Sequence, residues 1–292
     1  MKAFFNKMTI IGVGLIGGSF ALRARERKLA QKIVGMDRNG AHLEVAKSRG
    51  IIDEAFTDVA PSVAEADIVL IATPPDAVTG IAKSILPFLK PGAYITDVSS
   101  IKGFIVEEFD GFWPLELNFV SSHPIAGGHR AGPEAADGTI FENATCILTP
   151  SMSTTPHALE TMRNVWEEMG CHVFQMDPDE HDAVYARISH LPQIISYALM
   201  RVAEDKEKSI PFFHHLPGPG WKDMTRLSRS NPELWTNICK GNREHILSSI
   251  HRFIGEMQAI QYELLQEQWD RIKNTFGESQ MMALRLSDRG EV

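Results

Sequence analysis

Gly12-Val13-Gly14-Leu15-Ile16-Gly17 follows a short apolar run, Met8-Thr9-Ile10-Ile11, and leads into helix-forming residues from Ser19 to Lys28. Few folds accept that order. A strand running into G-x-G-x-x-G and then a helix needs its glycines for three purposes: the tight turn, close approach of backbone to a pyrophosphate, and close packing of helix on strand. The helix N-terminus adds unpaired amides and the positive end of a dipole. A second strand, Lys32-Ile33-Val34-Gly35-Met36, ends in Asp37, 20 residues after Gly17, where an acid can reach a ribose. Together these parts define a dinucleotide-binding unit.

The acid also selects the cofactor. A carboxylate at Asp37 accepts both ribose hydroxyls and repels a 2′-phosphate, which favours NAD. Arg38, able to stack on adenine or meet a phosphate, leaves tolerance of NADP open. Strand and helix then alternate. Ala66 to Ala72 reads as a buried parallel strand ending in Thr73-Pro74-Pro75-Asp76, with Asp76 placed to cap a helix running through Leu89. Ala93 to Thr96 is the next strand, and Asn118 to Ser122 the one after. Thr145 to Pro150, a helix over Thr155 to Met169, and Cys171 to Met176 complete a single sheet. The pattern predicts an α/β, doubly wound, Rossmann-like domain over residues 1–177, with Gly12, Val13, Gly14, Leu15, Ile16, Gly17, Asp37, Arg38, Thr73, Pro74, Asp76 and Ser99 against the cofactor.

After Asp177-Pro178 no strand pattern remains, and residues 178–292 read as an all-helical domain. Asp179 to Glu204 forms one helix by apolar spacing, kinked at Pro192. Asn231-Pro232-Glu233 caps another. The last is expected from Asn242 to Phe276, with a weakly ordered tail after Gly277. Its apolar residues Ile246, Ile250, Phe253, Met257, Ile260 and Leu264 recur at alternating spacings of four and three. So long a stripe needs a partner surface, which predicts a homodimer built on these C-terminal helices.

Several functions are disfavoured. The net charge is −8, which argues against a nucleic-acid partner. The three cysteines, Cys146, Cys171 and Cys239, have no metal-ligand spacing and no paired framework, which suits a reducing cytoplasm and a chain without a metal. The basic start and apolar run from Met8 to Leu22 imitate a signal peptide but hold four glycines and no convincing cleavage site. No run suffices for a membrane span.

The chemical candidates are fewer. Ser121-Ser122-His123-Pro124-Ile125-Ala126-Gly127-Gly128-His129 places an imidazole at a strand end before a loop of small residues. Such a group takes a proton near neutral pH, although an isolated strand-end histidine is more often structural. Ser99 and Ser100 read by composition as N-caps of a helix starting near Ile101. His190, in Ser189-His190-Leu191-Pro192, reads either as a surface residue or as an imidazole turned to a cleft by the kink.

With these motifs in order, the chain resembles the prephenate/arogenate (cyclohexadienyl) dehydrogenases of tyrosine biosynthesis from about Met8 to Phe276. The resemblance rests on the glycine motif, Asp97-Val98-Ser99-Ser100-Ile101-Lys102-Gly103, His123-Pro124-Ile125-Ala126-Gly127 and Ser189-His190-Leu191-Pro192. It continues in Lys222-Asp223-Met224-Thr225-Arg226 and Ser230-Asn231-Pro232-Glu233-Leu234-Trp235. It implies an enzyme that passes hydride from the ring carbon bearing the hydroxyl to NAD while the ring carboxylate leaves as CO2. His123 is then the acceptor of the hydroxyl proton. Ser100 positions it, which displaces the capping reading. Arg226 holds the ring carboxylate, and His190, Trp235 and Ser230 surround the substrate side chain. For a dianion on an acidic protein, positive charge is expected locally from His123, His129, Arg130, Lys102, His190 and Arg226.

Two positions depart from the family pattern. Many relatives carry glutamate where this chain has His129, and losing that acid removes an attraction for the ammonium of arogenate, so prephenate is favoured. Pro219 stands where relatives run several glycines, which stiffens that loop. No mutase-like segment is expected before Met8, nor a regulatory domain after Phe276. The alternatives are a β-hydroxyacid-type dehydrogenase, whose general acid would be a helical lysine, and a non-catalytic NAD sensor or scaffold.

Overall fold

The structure, a computed structural model, describes residues 4–114, 116–127 and 130–288. Six parallel strands form the first sheet: β1 (Phe5–Ile11), β2 (Ala30–Met36), β3 (Glu54–Phe56), β4 (Ile68–Ile71), β5 (Tyr94–Asp97) and β6 (Asn118–Phe119). Their spatial order is 3-2-1-4-5-6, so the direction of winding reverses between β1 and β4 and leaves a crevice at their C-terminal ends. The connecting helices are α1 (Leu15–Glu26), α2 (Gly40–Ser48), α3 (Val59–Val63), α4 (Pro75–Ile85) and α5 (Gly103–Phe112).

β4 and the C-terminal halves of β1 and β2 are buried on both faces, which is why they read as continuous apolar runs. Met8 and Ile10 of β1 join Ile68 and Leu70 of β4 in one core cluster with Phe20 and Trp166. Ile11, Val69 and Ile71 point the other way, into a second cluster with Val78, Phe109 and Ile238. Each such side chain contributes about 1.5–3 kcal/mol on burial.

The single sheet expected from the sequence is two sheets. Only β6 extends the parallel array. Past Val120 the chain leaves it, and β7 (Ser121–Pro124) pairs antiparallel with β8 (Thr145–Thr149), which pairs parallel with β9 (His172–Gln175). Side chains cause the departure: Ser122 Oγ lies 2.9 Å from Thr96 Oγ1 and donates to the Asp97 carbonyl at 2.7 Å, so hydroxyls tie β7 to β5 where a backbone ladder would otherwise run. His123 therefore sits on a strand rather than after one. The helix after β8, α6 (Pro156–Met169), is capped by Thr155, which accepts from the Ala158 amide.

The predicted helix over 179–204 is present but not regular. It comprises α7 (Pro178–Tyr185), a π-helical turn at Ala186–His190 and α8 (Leu191–Val202). Proline at 192 has no amide and would strike the carbonyl one turn back; the widened π turn relieves that clash. α9 (Glu204–Ser209), α10 (Pro219–Thr225), a 3-10 turn at Arg226–Arg229 and α11 (Pro232–Gly241) follow, with Asn231 capping α11 through the Glu233 amide.

Two compact units divide at Arg243. The second starts at Glu244 and holds α12 (Arg243–Leu265) beyond its first residue, together with α13 (Trp269–Asp288). The one long final helix of the sequence reading is thus broken at Gln266–Gln268, where Glu267 takes a left-handed φ of 51°. The tail after Gly277 is helical to Asp288: a single glycine costs only about 1 kcal/mol in a helix, and the residues beyond it are good formers. Met257, Leu264, Trp269 and Phe276 are each half exposed or more. Among the described residues, no helix is long and apolar enough to cross a membrane.

Candidate active site

The glycine motif folds as its spacing requires. Gly12 has φ +92°, and a Cβ there would stand 2.5 Å from the Ala72 carbonyl oxygen. A Cβ on Gly17 would meet the Gly12 oxygen at 2.0 Å. Gly14 differs: nothing lies within 4 Å of its missing side chain, and it lines a cleft of about 740 Å³. It is also the N-cap of α1 and offers no side-chain cap, so the first amides of that helix await an acceptor. Asp37, Arg38, Thr73, Pro74 and Asp76 line the same cleft, as do Glu233 and Asn237 of α11. Asp37 Oδ2 accepts from the Val13 amide at 3.1 Å and Oδ1 from the Asn39 amide at 2.8 Å, which fixes the carboxylate at the end of β2. These features fit a dinucleotide: an open backbone cradle for its pyrophosphate and a rigid acid for its ribose.

Some members of the motif act inward. Val13 is fully buried, and Ile16 packs against the core. Leu15 lines a separate cavity with Arg49, Arg130 and Ala136. Asp76 is not a cap; it lies inside the first turn of α4, whose N-cap is Pro74. His42, which the sequence reading passed over, also lines the cleft, with Nδ1 3.5 Å from Asp37 Oδ2.

His123 is 8% exposed. Its Nδ1 lies 2.8 Å from His181 Nε2, and His181 Nδ1 lies 2.8 Å from Asp182 Oδ1. Tyr185 packs against both rings, stacked on His181 at a centroid distance of 4.5 Å. Desolvation holds His123 well below the usual imidazole value, with nearby His181 and Lys102 adding to the effect. His181 is lowered too, by burial against the opposing pull of Asp182. The His123 imidazole is therefore neutral near pH 7, with one ring nitrogen carrying a lone pair. Neither His181 nor Asp182 was singled out in the sequence; the signal was Glu180-His181-Asp182 in the first turns of a helix, which reads there as dipole complement.

Asp182 also removes the capping role from the serines. α5 starts at Gly103, and its free amides go to Asp182: Lys102 N to Oδ1 at 2.8 Å and Gly103 N to Oδ2 at 2.9 Å. Ser99 and Ser100 are left in the turn after β5. Ser99 Oγ is buried with no hydrogen-bond partner, and so is Thr73 Oγ1 at the end of neighbouring β4. Lys102 cannot supply charge to a ligand. It is fully buried, its Nζ bound to Asp97 Oδ2 at 2.7 Å, Ser121 Oγ at 2.9 Å and the Ser122 carbonyl at 2.7 Å. The neutral His123 and His190 correct the same expectation, leaving exposed guanidinium groups at Arg226 and Arg130. His129 lies outside the described residues.

His190 closes the π turn, fully buried. Asn242 Nδ2 donates to the Asp182 carbonyl at 2.7 Å and reaches His190 Nδ1 at 3.2 Å. That carbonyl orients the amide, so Nδ1 of His190 accepts and its proton sits on Nε2. Nε2 is buried and makes no well-formed hydrogen bond, although the Ser100 backbone lies near enough to favour the protonated ring. Burial pushes its pKa down to about 4, with Asp182 opposing. Trp235 meets the ring edge-on at 6.0 Å and packs on the core cluster that holds Ile101, next to Ser100. Arg226 opens the 3-10 turn that α8 supports: Gln193 Nε2 donates to the Leu227 carbonyl at 2.7 Å, and Ser196 Oγ accepts from the Ser228 amide at 3.0 Å. The Ser230 carbonyl accepts from Tyr197 at 2.9 Å.

A dinucleotide cradle with a buried neutral imidazole in the same compact unit defines a nicotinamide-dependent dehydrogenase. Residues 20–175 match the family described as prephenate dehydrogenase, nucleotide-binding domain, and residues 177–278 match prephenate dehydrogenase, dimerization domain. The chain is 32% identical to the prephenate dehydrogenase of Bacillus subtilis, covering 94% of this chain and 75% of that protein. The crystal structure of prephenate dehydrogenase from Aquifex aeolicus with hydroxyphenyl propionate and NAD+ superposes with a TM-score of 0.90 at 30% identity, covering 96% of this chain and 98% of that one. Synechocystis arogenate dehydrogenase follows at a TM-score of 0.79 and 30% identity, covering 98% and 99%. The chain belongs to the prephenate dehydrogenase family, NAD-dependent oxidoreductases. Membership displaces the hydroxyacid-dehydrogenase and sensor alternatives.

Proposed function

We infer that this chain catalyses the NAD-dependent oxidative decarboxylation of prephenate to 4-hydroxyphenylpyruvate and CO2. The observation that carries the reading is the neutral, buried His123, held at Nδ1 by His181 and close enough to His190 for the two rings to act on each other's charge. Bound NAD supplies the hydride acceptor. The protein's task is geometry and one proton. Loss of CO2 and aromatisation drive the reaction forward, so little acid catalysis is needed.

His123 Nε2 accepts the proton of the ring hydroxyl as its carbon gains carbonyl character, and Ser100 positions that hydroxyl. The Nε2–H of His190 donates to an oxygen of the substrate, with Trp235 and Ser230 shaping the same side. Arg226 holds the ring carboxylate as a planar fork. The glycine cradle, from Gly12 to Gly17, would hold the pyrophosphate, and Thr73, Pro74 and Asp76 of the same cleft, with Ser99, would contact the cofactor. Asp37 selects NAD, with Arg38 open to NADP. The nucleotide half ends at Asp177 and the helical half begins at Pro178. Two copies assemble through α12 and α13, whose exposed Met257, Leu264, Trp269 and Phe276 support that pairing, and the enzyme works in the cytoplasm without nucleic acid.

Prephenate is favoured over arogenate because position 129 is histidine, where a glutamate would attract an ammonium. The test is NADH formation from NAD with prephenate and L-arogenate in parallel, for the wild type and His123→Asn. Turnover of prephenate that falls about 10²–10⁴-fold in a variant still binding NAD is expected for a general base. Higher kcat/KM with arogenate overturns the substrate reading, and no turnover of either overturns the activity.

A further inference from the structure

We infer that His181 and Asp182 hold His123 in the tautomer whose bare nitrogen is Nε2, which makes His181 a positioning residue for the reaction. The inference rests on the activity proposed above only for its kinetic consequence; the tautomer itself is a property of the protein alone.

The hydrogen bonds leave one assignment. An ionised carboxylate only accepts, and Asp182 is anchored as an acceptor by the amides of Lys102 and Gly103, at 2.8 and 2.9 Å. His181 must then donate to it from Nδ1. A neutral His181 has its lone pair on Nε2. That atom is 2.8 Å from His123 Nδ1, so His123 carries its proton on Nδ1 and donates. The one nitrogen left for a substrate is Nε2, with its lone pair free. Among the described residues it has no hydrogen-bond partner, and the ring keeps 8% exposure. In water a neutral histidine favours the opposite form, with the proton on Nε2, which cannot accept from a hydroxyl. The relay inverts that preference.

The environment keeps the relay fixed. His181 is fully buried and Asp182 3% exposed, so neither partner is exchanged for water. Tyr185 stacks on His181 and limits its rotation. The charged neighbours, Lys102 and Asp97, are paired with each other, so Asp182 is the carboxylate bound to the relay. Three elements converge here: β7 brings His123, α7 brings His181 and Asp182, and the start of α5 anchors the carboxylate. When His123 takes the substrate proton on Nε2, the Nδ1–H bond to His181 remains, and the positive charge of the imidazolium is turned toward Asp182.

The experiment reads the tautomer directly. Nitrogen-15 spectra of the imidazole rings are recorded at neutral pH for the wild type, His181→Leu and His181→Gln, alongside steady-state kinetics. The wild type is expected to show His123 protonated on Nδ1. His181→Leu shifts the proton to Nε2 and lowers kcat on the order of 10²–10³-fold, while KM for NAD stays within about threefold. His181→Gln, whose amide oxygen still accepts from Nδ1, recovers at least tenfold of that loss. A wild type with its proton on Nε2, or a folded His181→Leu with unchanged kcat, overturns the inference. If the leucine variant does not fold, the wild-type spectrum and the glutamine variant decide. A wild type that forms no NADH from either substrate while showing the Nδ1 proton defeats the activity and leaves the positioning role standing.

Discussion

The cofactor cleft and the site around His123 are built in opposite ways. The cleft is made largely of backbone. Its cradle is a turn of six residues, its donors are the amides at the start of α1, and its one rigid acid ends the next strand. The His123 site is made of side chains brought from distant parts of the chain. His123 meets His181 across 58 residues, and Lys102 Nζ reaches Ser121 and Ser122 across 19 and 20. The first kind of site depends on φ values and missing side chains, the second on every buried polar atom finding its partner. Damage should therefore spread differently in the two.

The largest effect is expected where the side-chain site is most tightly closed. Lys102→Met removes a fully buried ammonium and leaves Asp97, itself fully buried, without its cation. Breaking such a pair costs about 3–5 kcal/mol, because the surviving charge stays desolvated. Chemical denaturation should show that loss. An equivalent change at the exposed pair Lys83–Glu108, where the ammonium is half in water, should be small by comparison. Stability unchanged in Lys102→Met would mean the His123 site is not held by its ion pair.

The same contrast explains what could be read from the sequence. The glycine motif, Asp37 and the strand-helix alternation are local, and local patterns carry backbone requirements directly. Asn231 was recognisable as a cap for the same reason. His123 stood out through its small-residue loop, but its partners did not. Nothing near His181 in the chain points to residue 123, and a buried lysine such as Lys102 looks like any surface lysine until its three acceptors are in place. The division into two sheets was hidden because it depends on Ser122 hydroxyl contacts with β5, whereas apolar patterning is alike for parallel and antiparallel core strands. The break at Glu267 was missed because an apolar stripe at helical spacing carries on through it.

A smaller effect divides the cleft within itself. Gly14→Val should leave the thermal midpoint nearly unchanged, since φ is −73° and no atom lies within 4 Å of the new Cβ. It should weaken NAD binding on the order of tenfold or more, about 1.4 kcal/mol or above, by standing where a pyrophosphate must approach. Gly12→Ala should do the reverse first, unfolding the protein at lower temperature, because φ is +92° and the methyl meets the Ala72 oxygen at 2.5 Å. Calorimetry with and without NAD separates the two. If Gly14→Val binds NAD as well as the wild type, the cradle assignment fails.

The smallest effect is a slope rather than a step, and it returns to the buried imidazoles. His190 titrates near 6.5 when unfolded and at about 4 in the fold, because desolvation disfavours its charged form. Between those values the unfolded chain binds a proton that the folded chain refuses. The stability that depends on a neutral His190 is complete above about pH 6.5 and is lost as pH falls toward 4. At pH 5.5 the loss from His190 alone is about 1 kcal/mol. His123 and His181 are shifted the same way and steepen the decline. His190→Gln should flatten the profile between pH 7 and 5 while leaving the cleft's affinity for NAD in place. An identical slope in that variant would mean that acid reaches the protein by another route, and that the His123 site is less dry than its burial indicates.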